Sequence, residues 1–295
     1  MSGGMNPELV SGWRPEPVED ECTPDLAVGA AAAGLWGTAA PVAVAPPMWH
    51  WFHFVEWTPR HLLGADGHPA DGHFLPPVPD RRRMFAGGTC TLHRPVAYGE
   101  PVRRRRTMLG ARLKDGRTGT LLFVTVRSEL YQSGQLCLVE DQDIVYRSGP
   151  GDADRRGVAL ATTGPDIDPD SALPLVTDPP LLMRMSALTG NQHRIHYDNP
   201  YATEVEHYPA LVVHGPLLVL HMLELPRRAL PGRTPTTISY RLHSPVYVGE
   251  PLAAVAEPGN NPPLSLRIAT ARDARHASVE LRWDGLAAAR KDDRQ

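Results

Sequence analysis

The sequence predicts an α+β fold made of two similar halves, each an antiparallel sheet curved around a helix. Three observations carry that prediction. A short segment recurs half a chain later, both copies lead into strands joined by tight turns, and a helix apolar on nearly all sides precedes the second set of strands.

The repeat sets the organisation. LHRPVAYGEPV (Leu92–Val102) matches LHSPVYVGEPL (Leu242–Leu252), an offset of 150 in a chain of 295 residues. One match at so long a period indicates duplication of a whole domain rather than a stack of short repeats. After the first copy, TMLGARLK, GTLLFVTVRSELYQ and QLCLVEDQDIVYR are separated by Asp115-Gly116 and Ser133-Gly134, both hairpin signals. After the second, PLAAVAEP, LSLRIATAR and HASVELRW are separated by a Gly-Asn-Asn-Pro turn and a turn near Asp273. The Pro- and Asp-rich passage from Ser148 to Asp170 reads as a connection. The expected division is an N-terminal domain over 1–150, a linker over 151–172 and a C-terminal domain over 173–295.

Two helices are predicted ahead of the second meander. In DPPLLMRMSALTGN, Asp178 caps, Pro179 suits the first turn, Leu181, Leu182, Met185 and Leu188 share a face, and Gly190 or Asn191 ends the helix. In HGPLLVLHMLELP, Gly215-Pro216 opens a helix that Pro226 closes, and its apolar circumference marks it as fully buried. One buried helix inside a strongly curved sheet is the hot-dog arrangement. The first half has weaker equivalents: an Ala-rich helix near Asp25 to Gly34, and PPMWHWFHFVEW where the central helix belongs, so that helix is expected to be shortened or degraded.

Composition narrows the function. Apolar residues make up 42% and charged residues 21%, which is ordinary for a globular chain. A net charge of −3 gives no pull toward nucleic acid or an anionic membrane. The alanine-rich stretch from Ala27 to Pro46 is broken by Gly34, Gly37 and Pro41, so no membrane span is expected. Cys22, Cys90 and Cys137 form neither an even disulfide set nor a metal spacing. With no basic and apolar leader at the N-terminus, a cytoplasmic location is expected. No glycine-rich phosphate loop or nucleophile elbow is present. Arg81–Arg83 and Arg103–Arg106 read as solvated strand edges or as partners for a ligand's phosphates.

The most polar cluster is TGNQHRIHYDNPYA, residues 189–202, directly after the first predicted helix. Taken with YPALVVHGPLL, it resembles the MaoC-like (R)-specific enoyl-CoA hydratases and dehydratases. Within these it is similar to the mesaconyl-CoA and itaconyl-CoA hydratases and the hydroxyacyl-thioester dehydratases. LGADGHP, FLPPVPDRRRMFAGG and VEDQDIVYR extend the resemblance through the first half. It implies a double hot-dog fold in which the C-terminal half carries the chemistry and the N-terminal half shapes an acyl pocket, with Trp49, Trp51 and Phe52 as candidate lining residues.

The resemblance implies a hydro-lyase acting on an acyl-CoA thioester. The expected reaction is reversible hydration of a short branched dicarboxylyl 2-enoyl-CoA such as mesaconyl-CoA or itaconyl-CoA. Alternatives are dehydration of 3-hydroxyacyl thioesters in fatty-acid or polyketide synthesis, and a non-catalytic acyl-CoA-binding hot dog. No cofactor is expected, and the working unit is expected to be a monomeric double hot dog or a homodimer. Laid on the hydratase pattern Gly-Asp-x-Asn-Pro-x-His, the glycine falls at Gly190, the acid at Asn191 and the histidine at His196.

Hydration needs a base for water, a proton for the α carbon, and a holder for the negative charge on the thioester oxygen. His196 is the expected base, since an imidazole titrates near neutrality. Asn191 would position the water, and Asp198 would orient the imidazole or act as a second acid. Gly215 would offer the oxyanion a main-chain N–H at a helix N-terminus. His214, His193 and Arg194 are expected to face substrate or CoA. His221 is expected to be a satisfied core residue. His193 and His196, followed by His207 and His214, lack a carboxylate or cysteine that completes a zinc set, so no metal is expected.

Overall fold

A computed structural model describes residues 10, 12–76, 78, 81–116, 119–148, 157–257 and 264–283. Its core is one ten-stranded antiparallel sheet. In chain order the strands are β1 (Val18–Cys22), β2 (Arg81–Leu92), β3 (Val102–Gly116), β4 (Gly119–Gln132), β5 (Gln135–Ser148), β6 (Ala172–Leu175), β7 (Thr237–Leu242), β8 (Leu252–Ala256), β9 (Leu264–Ala269) and β10 (Ala277–Arg282). Across the sheet the order is β1-β3-β4-β5-β2-β7-β10-β9-β8-β6. All strands of one half therefore lie on one side of the β2–β7 pair, and all strands of the other half on the other side.

The duplication is visible in hydrogen bonds. Ala45 N donates to Val96 O at 2.8 Å, and Val213 N to Val246 O at 2.9 Å. Tyr98 N donates to Ala43 O at 2.9 Å, and Val248 N to Leu211 O at 2.9 Å. Val44 bridges Ala97 just as Val212 bridges Tyr247. The two copies of the repeat thus hold two equivalent segments, 43–45 and 211–213. Beyond these segments the halves differ. In the second half, His214 leads into a helix at Gly215. In the first, Pro46-Pro47 removes two backbone donors and Met48 turns left-handed at φ 68°, so only a four-residue 3-10 turn forms (Trp49–Phe52). Trp49 and Phe52 are 2% and 1% exposed and fill the space of the missing helix rather than lining a cleft.

This turn is fastened to the sheet by Glu140 of β5, itself 1% exposed. Its carboxylate accepts from His50 Nε2 (2.7 Å), Trp51 Nε1 (3.1 Å), Tyr240 Oη (2.7 Å) and Gln142 Nε2 (3.1 Å). Burial alone would raise its pKa, but His50 and these donors hold it below the ordinary value. Gly88 makes room for the arrangement, because an added Cβ would lie 2.4 Å from the Tyr240 hydroxyl. Replacing Glu140 with alanine strands four donors at the junction of the halves, two of them, on His50 and Tyr240, in buried residues. The expected loss is about 3–5 kcal/mol of unfolding free energy, measurable as a lowered urea midpoint.

The three helices are α1 (Leu26–Ala33), α2 (Pro179–Thr189) and α3 (Gly215–Ala229). Asp178 caps α2 through Leu181 N at 2.8 Å, and Gly190 ends it at φ 61°. Leu182 and Met185 are fully buried, with Leu181 and Leu188 packed against the same core. In α3 every residue from Leu217 to Glu224 is buried. Pro226 does not close it. The helix runs on to Ala229, because Leu230 N reaches Pro226 O at 2.8 Å and Glu224 pairs with Arg227 at 2.7 Å across that turn.

Other expectations shift in detail. The Ser133-Gly134 hairpin has both residues at positive φ (50° and 73°). Strand β3 continues through Asp115-Gly116 to pair Gly116 with Gly119, so the expected Asp115-Gly116 turn is strand instead. The Gly-Asn-Asn-Pro turn and most of the linker before Gly157 lie outside the described residues, and the linker's expected last residue, Ala172, already begins β6. Arg103–Arg106 are not on an edge strand, although Arg103 and Arg105 stay exposed. The acidic strand β1 pairs alongside them, setting Glu19 against Arg105, Asp20 against Arg104 and Glu21 against Arg103. Arg104 binds Asp20 and Glu56, and Arg106 binds Glu56 at 2.6 Å. Opposite charges facing across a strand pair stabilise it and specify its register. Among the described residues no helix is long and apolar enough to cross a membrane.

Candidate active site

The polar cluster folds as a chain of short caps. After Gly190, Asn191 N donates to Ser186 O (2.9 Å) and Asn191 Oδ1 accepts from His193 N (3.0 Å). A 3-10 turn, Arg194–His196, comes next. Two bonds attach it to the segment ahead of α3: Val212 N donates to Ile195 O at 3.0 Å, and His196 Nδ1 donates to Val212 O at 2.7 Å. Because Nδ1 carries the proton, Nε2 is the basic nitrogen, and it has no hydrogen-bond partner among the described residues. His196 is 7% exposed and stacks on His214, with ring centroids 3.7 Å apart and planes at 17°.

His214 is the residue before Gly215, so the candidate base and the mouth of α3 lie side by side. The first N–H groups of a helix have no acceptor within it, and Pro216 has no N–H, which leaves Gly215 as the leading donor. A Cβ at Gly215 would sit 2.2 Å from Leu242 Cδ1 and 3.3 Å from Phe85 Cδ1. His214 is held by Ser186 Oγ at 2.9 Å from its Nε2, while its buried Nδ1 is unpartnered.

The first half contributes two residues that sequence reasoning did not single out. Asp66 Oδ2 holds His68 Nδ1 at 2.8 Å, and His68 stacks on His193 at 4.1 Å. His193 in turn meets His196 edge-on at 5.5 Å. The row His68, His193, His196, His214 therefore crosses from one half to the other. Its only local signal was the Asp66-Gly67-His68 turn. Gly67 has φ 88°, and a Cβ there would lie 2.0 Å from Gln192 O, so only glycine lets this loop close on the cluster.

Burial sets the electrostatics. It lowers the His196 pKa to about 4, opposed by the Val212 carbonyl and reinforced by the charge of His68. Burial likewise drives His193 and His214 well below the usual imidazole value, and for His193 the charges of His68, His196 and Arg83 add to it. All three rings are neutral at pH 7.

Arg194 and Asp198 serve each other. Arg194 binds Asp198 Oδ2 at 2.7 Å, lies 4.1 Å over the Tyr201 ring, and donates to Ala65 O at 2.8 Å. Asp198 Oδ1 accepts from Tyr201 N, and the Arg194 bonds hold its carboxyl below the usual range. No bond joins Asp198 to His196 among the described residues. His221 donates to Leu173 O at 2.9 Å from within the core. Asp66, His68 and His193 each bring a ligand-type atom within 4.8 Å of the others, but both Asp66 oxygens already accept from His68.

A family model described as hydroxyacyl-thioester dehydratase type 2 matches residues 48–248, more than half of the chain and all of the histidine row. The chain belongs to that family. It is a hydro-lyase family, and its match spans both halves, as the site does. The chain is also 42% identical over 274 residues to a mesaconyl-C(4)-CoA hydratase of Chloroflexus aurantiacus, covering 91% of this chain and 95% of that protein. It is 28% identical over 241 residues to a mitochondrial hydroxyacyl-thioester dehydratase type 2 of Schizosaccharomyces pombe, covering 72% and 78%. Among solved structures, a Mycobacterium tuberculosis protein described as a double hotdog superposes with a TM-score of 0.53 at 16% identity, over 91% of this chain and 95% of that one. The double hot-dog expectation therefore holds, with the central helix of the first half reduced to a 3-10 turn.

Proposed function

We propose that this family member adds water reversibly to the double bond of a 2-enoyl-CoA, a short branched dicarboxylyl thioester such as mesaconyl-CoA. The observation that supports the reading is the stacking of His196 on His214, the residue that immediately precedes Gly215 at the mouth of α3. The 42% identity to a mesaconyl-C(4)-CoA hydratase supports the acyl group.

In the proposed reaction Nε2 of His196 takes a proton from water. The hydroxide bonds to the β carbon as the α,β double bond's electrons move toward the thioester oxygen, where the Gly215 N–H and the helix dipole hold the charge. The imidazolium then returns its proton to the α carbon, so one water is consumed and the base is regenerated. Asp198 is committed to Arg194 and does not exchange this proton. Asn191 keeps its amide N–H groups for positioning the water. A ring with pKa about 4 is a weak base in the empty site, but oxyanion charge nearby strengthens it as the hydroxide adds. Residues 173–295 would supply this chemistry, and residues 1–150 the loop and strand that close the acyl site.

The test monitors loss of conjugated-thioester absorbance with mesaconyl-C4-CoA, crotonyl-CoA, a long-chain enoyl-CoA and a carrier-protein thioester. Preference for the short dicarboxylyl substrate is expected. Preference for long or carrier-bound substrates would favour the second reading, 3-hydroxyacyl-thioester dehydration, which the family model itself supports and which runs the same steps in reverse. The unbroken sheet through β2–β7 supports a single chain as the working unit, and the three free cysteines support a reducing, cytoplasmic setting.

A further inference from the structure

Two arginines stand together near the start of β2 and have different fates. Arg82 reaches Glu206 at 2.5 Å, and Glu206 also accepts from the Tyr201 hydroxyl at 3.1 Å. Arg83 is half-buried, and its side chain makes no hydrogen bond or ion pair among the described residues. Leaving a partly buried guanidinium unpaired costs stability, and its five donors form a fork suited to a carboxylate.

Its place on the strand says what it faces. Residues two apart on a strand share a face, and Arg83 lies two before Phe85, with the β-bulge coming only after Phe85. Phe85 packs against Gly215, stacks on Tyr240 at 5.6 Å, and so belongs to the wall beside the mouth of α3. The charge of Arg83 is also felt at His193, the ring edge-on to His196. The unpaired guanidinium therefore stands on the same wall as the oxyanion donor and beside the histidine row.

We infer that Arg83 binds the free carboxylate of the acyl group and thereby selects dicarboxylyl over uncharged enoyl thioesters. The inference rests on the hydration reading and names the residue that would give it specificity. With the thioester oxygen at Gly215 and the β carbon at His196, a carboxylate on that β carbon projects beyond it toward the wall. The same contact aids the reaction. A bare carboxylate on the carbon under attack repels the incoming hydroxide, and a bidentate arginine neutralises it. Arg82 cannot substitute, because Glu206 already holds it.

The experiment compares wild type, Arg83→Gln and Arg83→Lys in two ways. Turnover is measured with mesaconyl-C4-CoA and with 3-methylcrotonyl-CoA, in which a methyl replaces the carboxylate. Binding is measured with succinyl-CoA and butyryl-CoA, saturated thioesters that cannot be hydrated. Arg83→Gln is expected to lower kcat/KM for mesaconyl-C4-CoA and weaken succinyl-CoA binding by about 10- to 150-fold, the range for hydrogen bonds to a charged group. The uncharged pair should be unaffected, and Arg83→Lys should recover part of the loss. Equal losses for both members of each pair would overturn the proposal, since they would place Arg83 on the CoA moiety or in the fold. No loss with any ligand would overturn it too. If wild type hydrates neither enoyl-CoA yet Arg83→Gln selectively weakens succinyl-CoA binding, the hydration reading fails and the carboxylate site stands.

Discussion

His196→Asn is expected to lower kcat by about 10²- to 10⁴-fold, the usual contribution of a positioned general base, while leaving KM nearly unchanged. The asparagine amide can occupy the place of Nδ1 and keep the 2.7 Å bond to Val212 O, so the attachment of the 3-10 turn survives. What disappears is Nε2, the proposed proton acceptor. Loss of the ring stacked on His214 should cost only about 0.5–1.5 kcal/mol of stability. Steady-state kinetics and a urea titration on the same preparation check both halves of the statement. Asp198→Asn supplies the contrast. If it too removes turnover while the fold stays intact, the single-base route fails and a second acid is needed.

Stability is expected to fall steeply as the pH drops from about 6.5 toward 4. His196, His214 and His221 are 7%, 1% and 1% exposed, and burial holds each pKa down, to about 4 for His196 and His221. Proton counting gives the sign. Between the folded value and the ordinary value near 6.5, the unfolded chain binds protons that the folded chain refuses, so acid favours unfolding. Above pH 6.5 both states are neutral at these rings and the effect vanishes. Each ring contributes a slope of about 1.4 kcal/mol per pH unit, so three together approach 4 kcal/mol per pH unit. Over two such units that loss is comparable with the whole stability of a typical domain, about 5–15 kcal/mol. Urea midpoints at pH 7.5, 6.5, 5.5 and 4.5 would show the loss, and His196→Asn should make the profile shallower by one ring's share. A flat profile across this range would mean that the histidines are hydrated rather than buried.

Much of the site was legible along the chain because its parts are local. Asp178, Pro179 and Gly190 delimit α2 by capping chemistry that depends on neighbouring residues alone. The length of α3 was misjudged for a related reason. A proline near a C-terminus reads as a stop, whereas Arg227 and Glu224 hold the last turn together. The basic run Arg103–Arg106 was misread because its partner strand, VEDEC, lies some eighty residues earlier and carries no marker that it pairs there. The Pro46-Pro47 interruption did mark the weak central helix of the first half, but not that Glu140 would fasten the replacement turn to the sheet.

By itself the sequence determined the duplication and the two helices flanking the polar cluster, and by resemblance it pointed to His196 and Gly215 as working groups. These are statements about periodicity, caps and motifs, which short-range sterics and hydrogen bonding impose. Only the tertiary structure decided which groups meet. It paired Asp198 with Arg194, put His214 under His196, and brought Asp66 and His68 from the other half to the same row. Those contacts depend on the β2–β7 join and on a loop closing over a positive-φ glycine, across separations such as the 129 residues between Ala65 and Arg194, over which no local pattern carries information.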